Sequence, residues 1–161
     1  MIAKTVTTLL ATALLATGAQ AAGIERKAPP KAMIAASATV PAGSTLIWLS
    51  GATASPIDPK DTDSPNAFGN TEVQTLSILT KIKAQLAEMG LGMGDIVKLT
   101  VFLVGTPETG KMDREGMTAS YKKFFGTPEQ PNLPTRSTVQ VAALGRPSTL
   151  VEIEAIVAKA P

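Results

Sequence analysis

The chain has 161 residues, with 15 Lys and Arg against 13 Asp and Glu, and a formal net charge of +2. That near-balance, with 4% aromatic residues, offers neither the electrostatic footprint nor the stacking surface expected of a nucleic-acid partner. It holds no cysteine and no histidine, which excludes disulfides, thiolate nucleophiles, zinc–thiolate centres and imidazole general bases. Any catalysis must rest on carboxylates, Arg or Lys, hydroxyls, backbone amides and water.

In chain order, Lys4 precedes an apolar run from Val6 to Gly18, and Ala19-Gln20-Ala21 has the form of an A-x-A cleavage site. The pattern predicts a secretory signal over residues 1–21, too short for a membrane span. The mature chain is therefore expected to be exported, to a periplasm, and free of the membrane after cleavage. Residues 22–31 are rich in Pro and Lys without periodicity and read as a mobile arm; residues 32–161 read as one domain. Apolar runs over 33–40 and 45–50, split by Pro41-Ala42-Gly43-Ser44, predict two strands joined by a turn, with a short third strand over 52–57. Residues 58–69 carry Pro, Asp, Asn and Ser with little to bury and read as a surface loop.

A helix is predicted over 72–89, with Thr71 as N-cap and Gln74 completing a capping box. Its apolar stripe is Val73, Leu76, Leu79, Ile82, Leu86 and Met89, and Gly90 ends it in the left-handed conformation. Residues 96–104 alternate as a strand, with Val97, Leu99, Val101 and Leu103 on one face. A second helix is expected over 113–125, with Met117, Tyr121 and Phe124 as its stripe. Two final strands, 134–141 and 150–157, are expected to form a hairpin. Val139, Val141 and Ala143 would then share the buried face with Val151, Ile153, Ala155 and Val157, while Arg136, Thr138, Gln140, Glu152 and Glu154 take the other.

Together these elements predict an α+β two-layer sandwich, a mixed β-sheet with two helices on one face. Its second face would carry Ile96, Phe102, Val104 and Trp48 or Ile47 among polar groups, which predicts a symmetric oligomer. A guanidinium and carboxylates fixed on rigid strands are what a site for a small anion requires. In a hairpin centred near Arg146, Gln140 would face Glu152 and leave Arg136 about 13 Å from it. One small substrate could reach both only across a subunit boundary.

These residues resemble a known family. Pro134-Thr135-Arg136-Ser137-Thr138-Val139, Ala142, Leu144 and Val151-Glu152-Ile153 are similar to the signature of the reactive intermediate deaminase family, also called YjgF or Rid. Gly94 to Phe102, Tyr121-x-x-Phe124-Phe125 and Ser50-Gly51 match it as well. The resemblance implies a chorismate-mutase-like fold, a homotrimer with clefts between subunits, and hydrolysis of 2-imino or enamino acids to 2-keto acids and ammonia. No metal or cofactor is implied. Residue by residue, it implies that Arg136 grips the substrate carboxylate and that Glu152 orients and deprotonates water. Ser50, Gly51, Thr118 and Thr138 would line the cleft. The chain departs from deaminating members at Ala36, where they carry an aromatic residue, at Thr118 in place of Asn, and at Thr138 in place of Cys. A trimeric binding protein that holds a small carboxylate without turnover is the alternative reading. Tyr121, Phe124 and Phe125 read as packing residues.

Overall fold

The computed structural model describes residues 23–161, and the expected export signal over 1–21 lies outside them. Three-residue strands β1 (Glu25–Lys27) and β2 (Ser37–Thr39) pair antiparallel. The segment read as a mobile arm therefore carries a strand. Arg26 fastens it to the body, its Nη2 donating to the Gly94 and Ile96 carbonyls at 2.6 and 3.3 Å. The strand expected over 33–40 narrows to β2. β3 runs unbroken over Thr45–Thr53, absorbing the expected third strand through a register shift between Leu49 and Ala52. Then come α1 (Thr71–Glu88), a short 3-10 turn, β4 (Ile96–Val104), α2 (Arg114–Tyr121), β5 (Thr135–Val141) and β6 (Val151–Lys159).

The four long strands form a mixed sheet in the order β3-β6-β4-β5. The core lies between one face of this sheet and the two helices. Ile78, Leu79, Ile82 and Leu86 of α1 and Met117 and Tyr121 of α2 pack there with Leu99, Val101, Leu103, Val151, Ile153, Ala155 and Val157. This is the expected α+β two-layer architecture, with one topological correction. The last two strands are not a hairpin: β4 lies between them, antiparallel to β6 and parallel to β5. The connection over 142–150 crosses over instead of turning back, so Gln140 faces Leu103 and Glu152 faces Phe102.

The helix ends correct the sequence reading in detail. Asn70, not Thr71, caps α1, its side chain accepting from the Val73 amide at 3.0 Å. Gly90 takes φ +69° as the stop signal requires. The buried stripe is rotated: Thr71, Gln74 and Thr75 face inward, while Val73, Leu76 and Met89 are exposed. α2 is shorter than expected, capped by Asp113, and Phe125 is buried more deeply than Phe124.

Gln74 explains the rotation. Its fully buried carboxamide donates to the Gly69 and Ser148 carbonyls, both at 2.9 Å, and accepts from the Leu150 and Val151 amides at 2.8 and 3.3 Å. One side chain thus ties the start of α1 to the start of β6. A buried backbone group left unpaired costs about 1–3 kcal/mol. Gln74→Leu strands several of these, and is expected to lower stability by about 3 kcal/mol, read as a lower urea midpoint at unchanged slope. A loss under about 1 kcal/mol would mean the loop finds other partners.

Candidate anion and carboxylate site

Register decides what each candidate residue faces. Paired residues share a face of a sheet, and Arg136 pairs with Leu99 while Thr138 pairs with Val101. Both therefore point to the helix side, and Val139 and Val141 point to the uncovered side with Phe102 and Val104. This reverses the expected facing of β5. The apolar-inward rule fails on this edge strand because the uncovered face is itself partly apolar: Trp48 is 66% exposed and Val139 43%.

On the helix side, Arg136 is half-buried against α2. Its guanidinium carbon stands 4.4 Å over the Tyr121 ring centroid, and Nη1 lies 3.7 Å from Met117 Sδ. Tyr121 is fixed in turn: its hydroxyl donates to the Met33 carbonyl at 2.9 Å and its ring stacks on Phe125 at 4.7 Å. Burial lowers the Arg136 pKa from its ordinary value, the Tyr121 side chain opposes the shift, and the like charge of Arg114 adds to it. Burial also pushes the Tyr121 hydroxyl up to about 12. Among the described residues the single ion pair is Lys123 with Glu72, so Arg136 is held by a π face and a sulfur and has no carboxylate partner. Thr138, two residues along the same face, has a buried hydroxyl without a hydrogen-bond partner among the described residues. Thr118 follows Met117 on α2 and is half-buried.

On the uncovered side, Glu152 of β6 stands beside the irregularity in β3 that holds Ser50 and Gly51. A Cβ on Gly51 would fall 2.8 Å from Cδ and 3.0 Å from Cγ of Glu152 and would overlap its Oε1. Gly51 has ordinary backbone geometry, so glycine is needed there to make room for the carboxylate. Lys98 and Ser137 join on the same face, Nζ to Oγ at 2.7 Å.

The structure therefore brings together two half-sites. Ser50, Gly51 and Glu152 form one; Arg136 and Thr138, beside α2 with Thr118, form the other. Arg136 and Glu152 lie two strands and three residues apart, about 14 Å, on opposite faces. Tyr121 and Met117, read in the sequence as packing, turn out to be the supports of Arg136. Their four-residue spacing on α2 was the available signal, but it needed the position of β5 to become meaningful. Ala36 is exposed beside β2, and its amide donates to the Lys27 carbonyl at 2.7 Å.

The profile of the family described as "Endoribonuclease L-PSP" matches residues 26–159. A RutC family protein of Pasteurella multocida is 34% identical over 105 residues, covering 65% of this chain and 74% of its own. Escherichia coli TdcF, whose name reads "Putative reactive intermediate deaminase TdcF", is 36% identical over 112 residues, covering 70% and 78%. The crystal structure of Escherichia coli TdcF with bound serine superposes with a TM-score of 0.55 at 33% identity, over 74% of this chain and 84% of that one. The Rid protein YyfB of Yersinia pestis shares the fold, with a TM-score of 0.64 at 18% identity over 84% and 98%. A family profile spanning the described domain almost end to end, with these relatives, makes the chain a member of the YjgF/Rid family.

Proposed function

We propose that this protein hydrolyses 2-imino and enamino acids to 2-keto acids and ammonia, in clefts between the subunits of a homotrimer. The observation that carries the reading is the Arg136 guanidinium, half-buried, stacked on Tyr121 and unpaired with any carboxylate of the described residues. Such a planar fork suits bidentate capture of a substrate carboxylate. Glu152, with room made for it by Gly51, takes a proton from water as the water oxygen bonds to the imine carbon. The proton passes to the imine nitrogen. Glu152 then relays the hydroxyl proton of the resulting carbinolamine to its amino group, the carbon–nitrogen bond breaks as the carbonyl forms, and nitrogen leaves with the bonding electrons as ammonia. Imines are reactive, so positioning and one carboxylate suffice. The family description names a nuclease, but one guanidinium and one carboxylate in a chain without histidine fit a small anion better than a polynucleotide.

Since Arg136 and Glu152 lie on opposite faces, a cleft using both draws them from two copies, and the partly apolar face with Trp48 offers a surface for assembly. Export through residues 1–21 belongs to the same proposal. The serine held by TdcF favours, as a second reading, a binding protein for small carboxylates without turnover.

Subunit mixing tests the cross-subunit site. Arg136→Ala and Glu152→Ala, each inactive alone on 2-iminopropanoate generated in situ, are denatured together and refolded. Random trimers should regain about one quarter of wild-type sites, because an intact Arg136 can then meet an intact Glu152. Absence of recovery, with the wild type refolding to full activity, sinks the cross-subunit site. A wild type that binds 2-ketobutyrate without accelerating imine loss supports the binding-protein reading.

A further inference from the structure

A cleft of about 1320 Å³ lies beyond the end of the sheet, walled by the segments around 57–71, 106–115 and 146–150. Neither Arg136 nor Glu152 lines it. Its walls are tied down: Gln140 donates to the Gly110 carbonyl and accepts from the Met112 amide, both at 2.9 Å, and Arg146 donates to the Thr62 carbonyl at 3.3 Å. Arg114, the first residue of α2, lines this cleft.

Arg114 also neighbours the anion site. It precedes Met117 by three residues and Tyr121 by seven, so all three share one helix face. Met117 and Tyr121 are the side chains that hold Arg136. One turn of helix, about 5 Å, separates Arg114 from Met117, beside which Arg136 Nη1 lies, and two turns, about 10 Å, separate it from Tyr121. Neither arginine belongs to an ion pair among the described residues. Two like charges so placed repel each other, and a ligand with two negative charges relieves that repulsion more than one with a single charge. Asp63, Glu108, Asp113 and Glu115 line the cleft as well, and Asp113 is engaged by the Gly116 amide at 2.8 Å. Lys111 and Arg146 line it too, so four carboxylates face three cations, and Arg114 is the one of these cations carried by the helix that supports Arg136.

We infer that the preferred substrates are 2-imino dicarboxylic acids, with Arg136 on the carboxylate beside the imine and Arg114 on the distal one at the mouth of the cleft. The inference rests on the deaminase reading. In such four- and five-carbon acids three or four carbon–carbon bonds, each about 1.5 Å, separate the carboxyl carbons, which matches a helical turn.

An amino-acid oxidase acting on L-glutamate or L-alanine supplies 2-iminoglutarate or 2-iminopropanoate in situ. The wild type should show kcat/KM at least about tenfold higher for 2-iminoglutarate. Arg114→Gln should reduce that value at least about tenfold more than the value for 2-iminopropanoate, whereas Arg136→Ala should depress both. Equal values in the wild type, or an equal effect of Arg114→Gln on both imines, overturns the inference and leaves the deaminase reading standing. If the wild type hydrolyses neither imine, the deaminase reading fails. Calorimetry with 2-oxoglutarate and 2-oxobutyrate then decides the second contact: tighter 2-oxoglutarate binding that Arg114→Gln abolishes upholds it, and equal or absent binding overturns it.

Discussion

Arg136→Ala is expected to lower kcat/KM for a 2-imino acid by about 10²- to 10³-fold, because truncating one partner of a buried charged contact costs about 2–5 kcal/mol. The fold should tolerate the change. Within the chain Arg136 contributes a stack on Tyr121 and a contact with Met117, together of the order of 1–2 kcal/mol. The informative comparison is Arg136→Lys, which keeps the charge. A lysine ammonium is a point donor that cannot present a planar fork over the Tyr121 ring, so it should restore only part of the loss. Steady-state kinetics on 2-iminopropanoate read both variants, with thermal unfolding confirming the fold. Wild-type kinetics in a folded Arg136→Ala would remove the carboxylate clamp from the mechanism.

Glu152→Gln should lower kcat by about 10²-fold, at the lower end of what a positioned acid–base group contributes, with KM within about threefold. Gly51→Ala makes the complementary perturbation. Its methyl group meets only the mobile end of the Glu152 side chain, which can swing aside. Stability should change by less than about 0.5 kcal/mol, while kcat falls about tenfold as the carboxylate leaves its place. Stopped-flow turnover and urea unfolding on the same sample separate the two effects. Full activity in Gly51→Ala would show that the position of the carboxylate over β3 is not used.

Much of this arrangement could be read from residue order, because the elements are separated by strong local signals. Gly90 ends α1 where expected, the alternation over 96–104 marks β4, and two helices on one face follow from the pattern. What residue order did not carry is the order of strands. Nine residues between β5 and β6 can turn back as a hairpin loop or pass over β4, and alternation is the same either way. That ambiguity reversed the facing of Arg136 and Thr138, since their neighbours Val139 and Val141 are apolar on a face with its own apolar patch. The separation of Arg136 from Glu152 survived the correction for a different reason: they are now divided by a strand and by the sheet itself. The capping-box pattern at Gln74 is a local signal, whereas the partners of its carboxamide include Ser148 and Leu150, more than seventy residues away.

That carboxamide has a practical corollary for redesign. It fixes the points where the chain enters α1 and β6. In the stretch leading up to it from β3, Ala54, Ala67 and Phe68 are buried in the core, against the expected surface loop over 58–69. The segment 58–66 between them lies outside the fastening, exposed or half-buried. Changes in length there cost little loop entropy, about 0.6 kcal/mol for each doubling, and they do not shift the strand that carries Glu152. Grafted segments between residues 58 and 66 could thus reshape the cleft wall while the sheet beneath keeps its register.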